Sequence, residues 1–286
     1  MTLVTGRTRV FGLVGHPVHH SLSPAMHNEL FRRQGIDAVY ACFDVPPGRA
    51  GDVAAAIRTL GLAGCNLTVP FKERVVPGLD VLSLEATLAG AVNVVVRAPD
   101  GALRGHNTDG AGYLAALRKE LGESVEGADV AVLGSGGTGR AVAAALAAAG
   151  AAAVTLYNRT QARAEQAAID IGPRFPATRV DAAPLEPGAW RARAEGHRFV
   201  VNCTAGPGAA AVSALDVAPL PAGAVWTDAN YWMADPPQLA ACARRGLRIQ
   251  RGVGMLIHQG ALSFALFTGN EVDSDTIRGV LDVGGW

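Results

Sequence analysis

The chain of 286 residues has no excess of either charge, since 25 Lys and Arg balance 25 Asp and Glu. A nucleic-acid partner is therefore not expected, because its affinity would rest on cationic side chains that displace phosphate counterions. Charged residues make up only 17% and aromatic residues 6%, against 49% hydrophobic residues, which excludes intrinsic disorder and supports a buried core. Cysteine is scarce. Cys42, Cys65, Cys203 and Cys242 form no Cys-x-x-Cys pair, so neither a zinc ribbon nor a disulfide framework is expected. All four read as buried, reduced thiols of a cytoplasmic protein. The longest stretch of low polarity, residues 141–156, is mostly alanine, is broken by Gly150 and falls short of the roughly 20 residues that span a bilayer. Residues 1–7 show no charged start leading into an apolar core and a cleavage site, so neither a membrane nor an export signal is expected.

Glycine (35) and proline (16) are plentiful and imply many short turns. At a prior of roughly 150 residues per domain, the length suggests two α/β domains. In the N-terminal half, residues 10–14, 39–45 and 64–69 read as strands, and 24–34 and 48–60 as helices. Residues 91–97 and 101–105 resemble a hairpin turning at Pro99-Asp100-Gly101. Asn107-Thr108-Asp109 can cap a helix that runs through Leu121 and crosses into the second domain. There, residues 130–133, 154–157, 199–202 and 224–227 read as strands alternating with helices, the signature of a parallel, doubly wound sheet. A last helix over residues 255–268 returns to the first domain. The expected division is thus 1–108 plus 253–286 for a substrate domain and 109–252 for a Rossmann-like nucleotide-binding domain.

Gly134-Ser135-Gly136-Gly137-Thr138-Gly139 lies between a predicted strand and a predicted helix, the context a dinucleotide fingerprint requires. Gly134 allows the tight turn, Gly136 lets pyrophosphate approach the backbone, and Gly139 lets helix pack on strand. Gly137 belongs to the same loop, and the helix N-terminus behind it offers amide donors. An NAD site would place Asp or Glu at the end of the second strand to bind the ribose hydroxyl. That place reads Asn158-Arg159-Thr160, with Arg163 four residues beyond Arg159. Two guanidinium groups one helical turn apart suit a 2′-phosphate, so NADP is expected in preference to NAD.

Two polar segments complete the pattern. Gly15-His16-Pro17-Val18-His19-His20-Ser21-Leu22-Ser23-Pro24 brings two hydroxyls to a helix start, and Asn66-Leu67-Thr68-Val69-Pro70-Phe71-Lys72 brings a hydroxyl and an ammonium to a strand exit. With Ala91-Val92-Asn93, Asn107-Thr108-Asp109-Gly110 and Gly254-Met255-Leu256-Ile257-His258-Gln259, in this order over nearly the whole chain, the sequence resembles the shikimate dehydrogenase family. The resemblance implies reversible, NADP-dependent hydride transfer between shikimate and 3-dehydroshikimate by a monomer or homodimer. It implies that Ser21 and Ser23 bind the substrate carboxylate, with Tyr231 nearby. Thr68, Asn93, Asp109 and Gln259 would hold ring hydroxyls, and Lys72 and Asp109 would form the catalytic pair. Asn202, Thr204, Gly252 and Met255 would join the glycine loop in binding the cofactor.

The chemistry asks for such a pair on its own terms. Hydride addition to a ketone creates an alkoxide that needs a proton donor, and a partly buried Lys72 can supply one. Asp109 then orients Lys72 and the substrate hydroxyl. Taken singly, Lys72 suits a solvated loop, Asp109 a helix cap, Ser21 and Ser23 caps before Pro24, Asn93 a turn and Gln259 a helix surface. His16, His19, His20 and His27 crowd one segment, but carboxylate and thiolate partners at zinc spacing are absent, so no metal is expected. Trp226 and Trp232 read as core or pocket wall.

Two stretches depart from the family. Asn202-Cys203-Thr204-Ala205-Gly206-Pro207-Gly208 lacks a usual methionine, and Trp232-Met233-Ala234-Asp235-Pro236-Pro237 replaces a small turn after Tyr231. A reshaped pocket leaves quinate or an aminoshikimate as alternative substrates, and a sensor that binds ligand without catalysis as a reading of another class.

Overall fold

The computed structural model describes residues 4–205, 208–231 and 237–283, and the chain divides into two compact units, Met1–Thr108 with Ile257–Trp286, and Asp109–Leu256. Gly206, Pro207 and the Trp232-Met233 stretch lie outside the described residues.

Unit 1 contains β1 (Arg9–Gly15), α1 (Ser23–Arg33), β2 (Ala38–Asp44), α2 (Val53–Thr59), β3 (Gly64–Leu67), α3 (Phe71–Arg74), β4 (Val81–Leu82), α4 (Leu84–Ala89), β5 (Val94–Arg97) and β6 (Leu103–His106). Its sheet runs β2-β1-β3-β5-β6-β4 and is mixed, because β5 is antiparallel to both β3 and β6. Alternation along β1 sorts two cores. Val10 and Val14 face a layer with Val53, Ile57, Leu67, Phe71 and Val95, whereas Phe11 points to the other side, against Phe31 and Phe267. The expected helix over 48–60 is split: Pro46 and Pro47 lead into a 3-10 turn, Pro47–Asp52, and only α2 is α-helical.

Unit 2 contains α5 (Asp109–Leu121), β7 (Asp129–Leu133), α6 (Gly137–Ala148), β8 (Ala153–Asn158), α7 (Gln161–Ile171), β9 (Arg179–Pro184), α8 (Pro187–Arg191), β10 (Phe199–Asn202), α9 (Gly208–Ser213), β11 (Val225–Asp228), α10 (Pro237–Arg244) and β12 (Arg248–Gln250). Two further helices, α11 (Val253–Thr268) and α12 (Ser274–Val283), close the chain, and α11 contains the unit boundary. Sheet order is β12-β11-β10-β7-β8-β9 with every pair parallel. Counted from β7 as the first strand this is 3-2-1-4-5-6, the Rossmann order, and the strand order reverses between β7 and β10. Its inner strands β7, β8, β10 and β11 are buried on both faces, as crossover helices require, and Trp190 and Trp226 meet edge to face in the core at 6.1 Å. No helix is long and apolar enough to cross a membrane among the described residues.

The four cysteines are free, but only Cys65 and Cys242 are buried; Cys42 and Cys203 are half-buried, which corrects the expectation of four interior thiols. Cys42 sits on β2, a strand at the sheet edge, and Cys203 in the loop after β10, so neither is roofed on all sides.

Candidate active site

In unit 1 the strand ends gather the polar segments. β1 and β3 are parallel neighbours, so residues 16–23 and 68–72 leave the same edge of the sheet, joined by hydrogen bonds from His16 N to the Val69 carbonyl (2.9 Å) and from Thr68 N to the Val14 carbonyl (2.9 Å). Thr68 lies against Gly15, where an added Cβ would sit 2.2 Å from its methyl group, so glycine is needed for that approach. The antiparallel β5 starts where β3 ends, which sets Asn93 beside Leu67, and the Lys72 carbonyl accepts a bond from Val92 N at 2.8 Å. Lys72 is half-buried in α3, and Val69 and Pro70 lead into that short helix through a cis peptide. Ser21 Oγ accepts from Ser23 N at 3.2 Å, and Ser23 is already the first residue of α1 rather than a cap before it.

Asn93 is buried and holds Thr108 with both ends of its amide, accepting from Thr108 N (2.8 Å) and donating to Thr108 Oγ1 (2.9 Å). Its Nδ2 also lies 3.5 Å from Gln259 Oε1 on α11. Thr68, Lys72, Asn93 and Gln259 thus stand on adjoining segments of one unit. Two polar residues outside the expected set, Asn66 and Ser263, are buried beneath them.

In unit 2, Asp109 opens α5 and is buried, and its carboxylate accepts from Thr138 Oγ1 (3.1 Å) in the first turn of α6. Close packing makes this possible, because a Cβ at Gly110 would meet the Ala141 carbonyl at 2.5 Å. The aspartate is therefore tied to the helix of the glycine loop, a link no spacing rule announced. In that loop Gly134 takes φ +98°, and a Cβ at Gly139 would come within 1.9 Å of the Gly134 carbonyl oxygen. The loop is thus closed on itself in a way that only glycine permits. Helix α6 starts at Gly137, with Gly136 as its cap, so Gly137 and Gly139 lie in the first turn and their amides belong to the helix N-terminus.

Asn158 Oδ1 accepts from Ser135 N at 3.3 Å, and its Nδ2 donates to the Thr160 carbonyl at 3.0 Å. Its side chain thereby joins the loops after β7 and β8. Arg159, Thr160 and Arg163 are exposed. Helix α7 begins only at Gln161, so Arg159 stands in the loop before it. The two guanidinium groups are consequently not a helical-turn pair; a loop cation and a helix cation share the end of β8.

Across the switch point, the loops after β10 and β11 form a buried network. Asn202 donates to Asp228 (2.8 Å), Thr204 donates to Asn202 through Oγ1 (2.7 Å), and Asn230 donates to Asp228 and to the Thr204 carbonyl (2.7 and 3.0 Å). Burial raises the Asp228 carboxyl above the usual range, and the donors from Asn202 and Asn230 oppose that rise. The sequence assigned no role to Asp228 or Asn230, because an acid and an amide beyond a strand end have no distinctive spacing. Gly252 packs on this network, since a Cβ there would meet the Asn230 backbone at 2.5 Å, and Met255 is buried. Tyr231 follows Asn230 and is half-buried. A groove of about 450 Å³ bordered by Glu123, Glu126, Asp129 and Arg198 lies at the opposite, N-terminal ends of β7 and β10. Ligands of open α/β sheets bind beyond the C-terminal ends of the strands, so this groove is not the candidate site. Among the described residues no group of three or more His, Cys, Asp or Glu side chains is placed to hold a metal.

Residues 13–95 match the shikimate dehydrogenase substrate binding domain, 116–184 the shikimate / quinate 5-dehydrogenase family, and 252–281 the shikimate 5′-dehydrogenase C-terminal domain. Shikimate dehydrogenase (NADP(+)) of Geobacter metallireducens is 41% identical over 277 residues, covering 96% of each chain. The chain belongs to the shikimate dehydrogenase family. Among solved structures, shikimate 5-dehydrogenase of Thermus thermophilus in complex with NADP(H) and shikimate is 36% identical, with a TM-score of 0.80 over 96% of this chain and 98% of that one. Quinate dehydrogenase of Corynebacterium glutamicum in complex with NAD is 29% identical, with a TM-score of 0.82 over 96% and 98%. Fold likeness therefore extends to family members with another substrate and cofactor, and the choice within the shikimate dehydrogenase family rests on side chains.

Proposed function

We propose that this oxidoreductase catalyses the reversible, NADP-dependent reduction of 3-dehydroshikimate to shikimate, with unit 1 taking the cyclic acid and unit 2 the dinucleotide. The observation that carries the reading is the gathering of Thr68, Lys72, Asn93 and Gln259 on adjoining segments of unit 1 in a chain whose 41% identical relative is an NADP-dependent shikimate dehydrogenase. NADP fits the residues present. Only glycine satisfies the closed loop at Gly134 and Gly139, and the end of β8 offers Asn158 and Arg159 where an acid would repel a 2′-phosphate.

Bound NADPH supplies the hydride. Ser21 and Ser23, with Tyr231, bind the substrate carboxylate, and Thr68, Asn93 and Gln259 orient the ring through its hydroxyls. Lys72 Nζ gives a proton to the oxygen that becomes the C3 hydroxyl and takes it back in the reverse direction, so charge and protons balance. Asp109, held by Thr138, orients Lys72 and that hydroxyl. Gly136 and Gly137 with Gly134 and Gly139 cradle the pyrophosphate, Asn158, Arg159, Thr160 and Arg163 take the adenosine phosphate, and Asn202, Thr204, Gly252 and Met255 border the nicotinamide end. Free thiols suit a cytoplasmic setting, as monomer or homodimer.

The test is spectrophotometric: absorbance of reduced cofactor is followed with shikimate, quinate and an aminoshikimate, each with NADP+ and NAD+. Shikimate with NADP+ is expected to give the highest kcat/KM. A higher value for quinate with NAD+ would replace this reading, and absence of turnover with every pair would leave a ligand sensor.

A further inference from the structure

Beneath the ring-binding residues of unit 1 a chain of buried polar side chains runs from β2 to α11. Tyr40, 2% exposed, donates its hydroxyl to Asn66 Oδ1 at 2.8 Å. Asn66 Nδ2 donates twice, to the Asn93 carbonyl at 3.1 Å and to Ser263 Oγ at 3.0 Å. Ser263, wholly buried, donates in turn to the Gln259 carbonyl at 2.9 Å. A second route reaches the same carbonyl: Asn93 Nδ2 donates to Thr108 Oγ1 (2.9 Å), which donates to the Gln259 carbonyl (3.2 Å). Both routes converge on the backbone of the residue whose side-chain oxygen lies 3.5 Å from Asn93 Nδ2.

A serine inside a helix often bonds the carbonyl four residues back, and that alone would satisfy its hydroxyl. Here the hydroxyl also accepts from Asn66, and the carbonyl is met by a second hydroxyl from outside the helix. A buried donor or acceptor left without a partner costs about 1–3 kcal/mol, so a rolled or shifted α11 that broke these bonds would be penalised several times over. Gly260 gives the helix its seat, since a Cβ there would meet the Met26 methyl at 2.5 Å.

We propose that Asn66 and Ser263 are positioning residues that act through α11 to hold the Gln259 side chain beside Asn93, so that both meet the ring hydroxyls of the cyclic acid in one fixed geometry. This rests on the function proposed above. Neither residue donates to the substrate: Ser263 is enclosed, and both amide hydrogens of Asn66 are used within the protein.

The test uses the full-length enzyme and Ser263→Ala, which removes one hydroxyl, adds no volume and leaves Asn66 bonded to the Asn93 carbonyl. Loss of one hydrogen bond's worth of alignment is expected to lower kcat/KM for shikimate about fivefold, with KM for NADP+ unchanged within about twofold. In a Gln259→Ala background the same substitution is expected to change kcat/KM by less than about twofold, because residues acting in series are not additive. Equal losses in both backgrounds, an unchanged kcat/KM in the parent enzyme, or a parallel rise in KM for NADP+ overturns the proposal. Hydrogen exchange of residues 257–264 supplies a readout independent of turnover, and Ser263→Ala is expected to accelerate it. Should the parent enzyme fail to oxidise shikimate, the functional reading falls, and unchanged exchange would overturn the positioning role separately.

Discussion

Lys72 carries the most demanding assignment of any single side chain, because hydride addition without a proton donor leaves an alkoxide. General acid catalysis is typically worth about 10²–10⁴ in rate, so Lys72→Ala is expected to lower kcat by that factor while KM for shikimate changes severalfold at most. Steady-state kinetics with near-normal kcat would remove Lys72 from the mechanism. Arg159 bears on a different question. Its exposed guanidinium lies in the loop after β8, and a charge-assisted bond to a phosphate is worth about 1.5–3 kcal/mol, so Arg159→Ala should raise KM for NADP+ about tenfold or more and leave KM for NAD+ nearly unchanged. A proportional rise for both cofactors would place the arginine elsewhere than on the 2′-phosphate. Ser21, Ser23, Thr68 and Lys72 were legible in the chain because hydroxyls and an ammonium follow strand exits, whereas Asn93, Asp109 and Gln259 stood out only through the family resemblance. Their supports were not legible. Thr138, Asn66, Ser263 and Asp228 touch residues 29, 27, 155 and 26 positions away, and no local spacing rule reaches that far.

Among the elements, the turn from β7 into α6 is the one whose backbone leaves least choice. A methyl group at Gly139 would stand 1.9 Å from the Gly134 carbonyl oxygen, and neither backbone can yield without opening the loop. Gly139→Ala is expected to lower unfolding free energy by about 1–3 kcal/mol, as overpacking does, and to weaken NADP+ binding at least about tenfold in calorimetric titration. Gly188→Ala is its control: the same change in α8 meets open space and should be neutral or stabilising by a few tenths of a kcal/mol. Equal effects at the two positions would refute the argument from closure. Strands buried on both faces were legible as short apolar runs, and β10 was predicted to the residue, because Phe199-Val200-Val201-Asn202 offers no helical alternative of sufficient length. Of the edge strands only β2 was legible. β4 has two residues, β9 carries Arg179 and Asp181 toward solvent, and β12 has three residues, so none shows an apolar run long enough to stand out. Helix α3 was hidden for the same reason, being four residues of which only Phe71 is buried.

At the scale of the whole molecule, each unit encloses one histidine that must be neutral to fit. In unit 1, His27 is stacked on Tyr40 with ring centres 4.5 Å apart, among Phe31, Phe264 and Phe267, and burial lowers its pKa to about 3. In unit 2, His197 bonds the Tyr157 hydroxyl at 2.9 Å and stacks on Trp190, and its pKa is lowered to about 4, again chiefly by burial. Both groups bind a proton near pH 6.5 once unfolded and resist it while folded. Between those limits the unfolded chain holds more protons, so stability is complete above about pH 6.5 and declines as the solution is acidified. Each histidine contributes a slope of about 1.4 kcal/mol per pH unit, amounting to about 2 kcal/mol apiece at pH 5. The His197 contribution levels off near pH 4 and that of His27 near pH 3. Replacing His27 by Phe keeps an aromatic face on Tyr40 and removes the titrating nitrogens. Urea unfolding of His27→Phe at pH 7.5 and at pH 5 is therefore expected to show a pH-dependent loss smaller by about 2 kcal/mol than in the parent chain. An identical loss in the two proteins would mean that His27 takes up its proton as readily in the folded chain as in the unfolded one, and that burial does not set its charge.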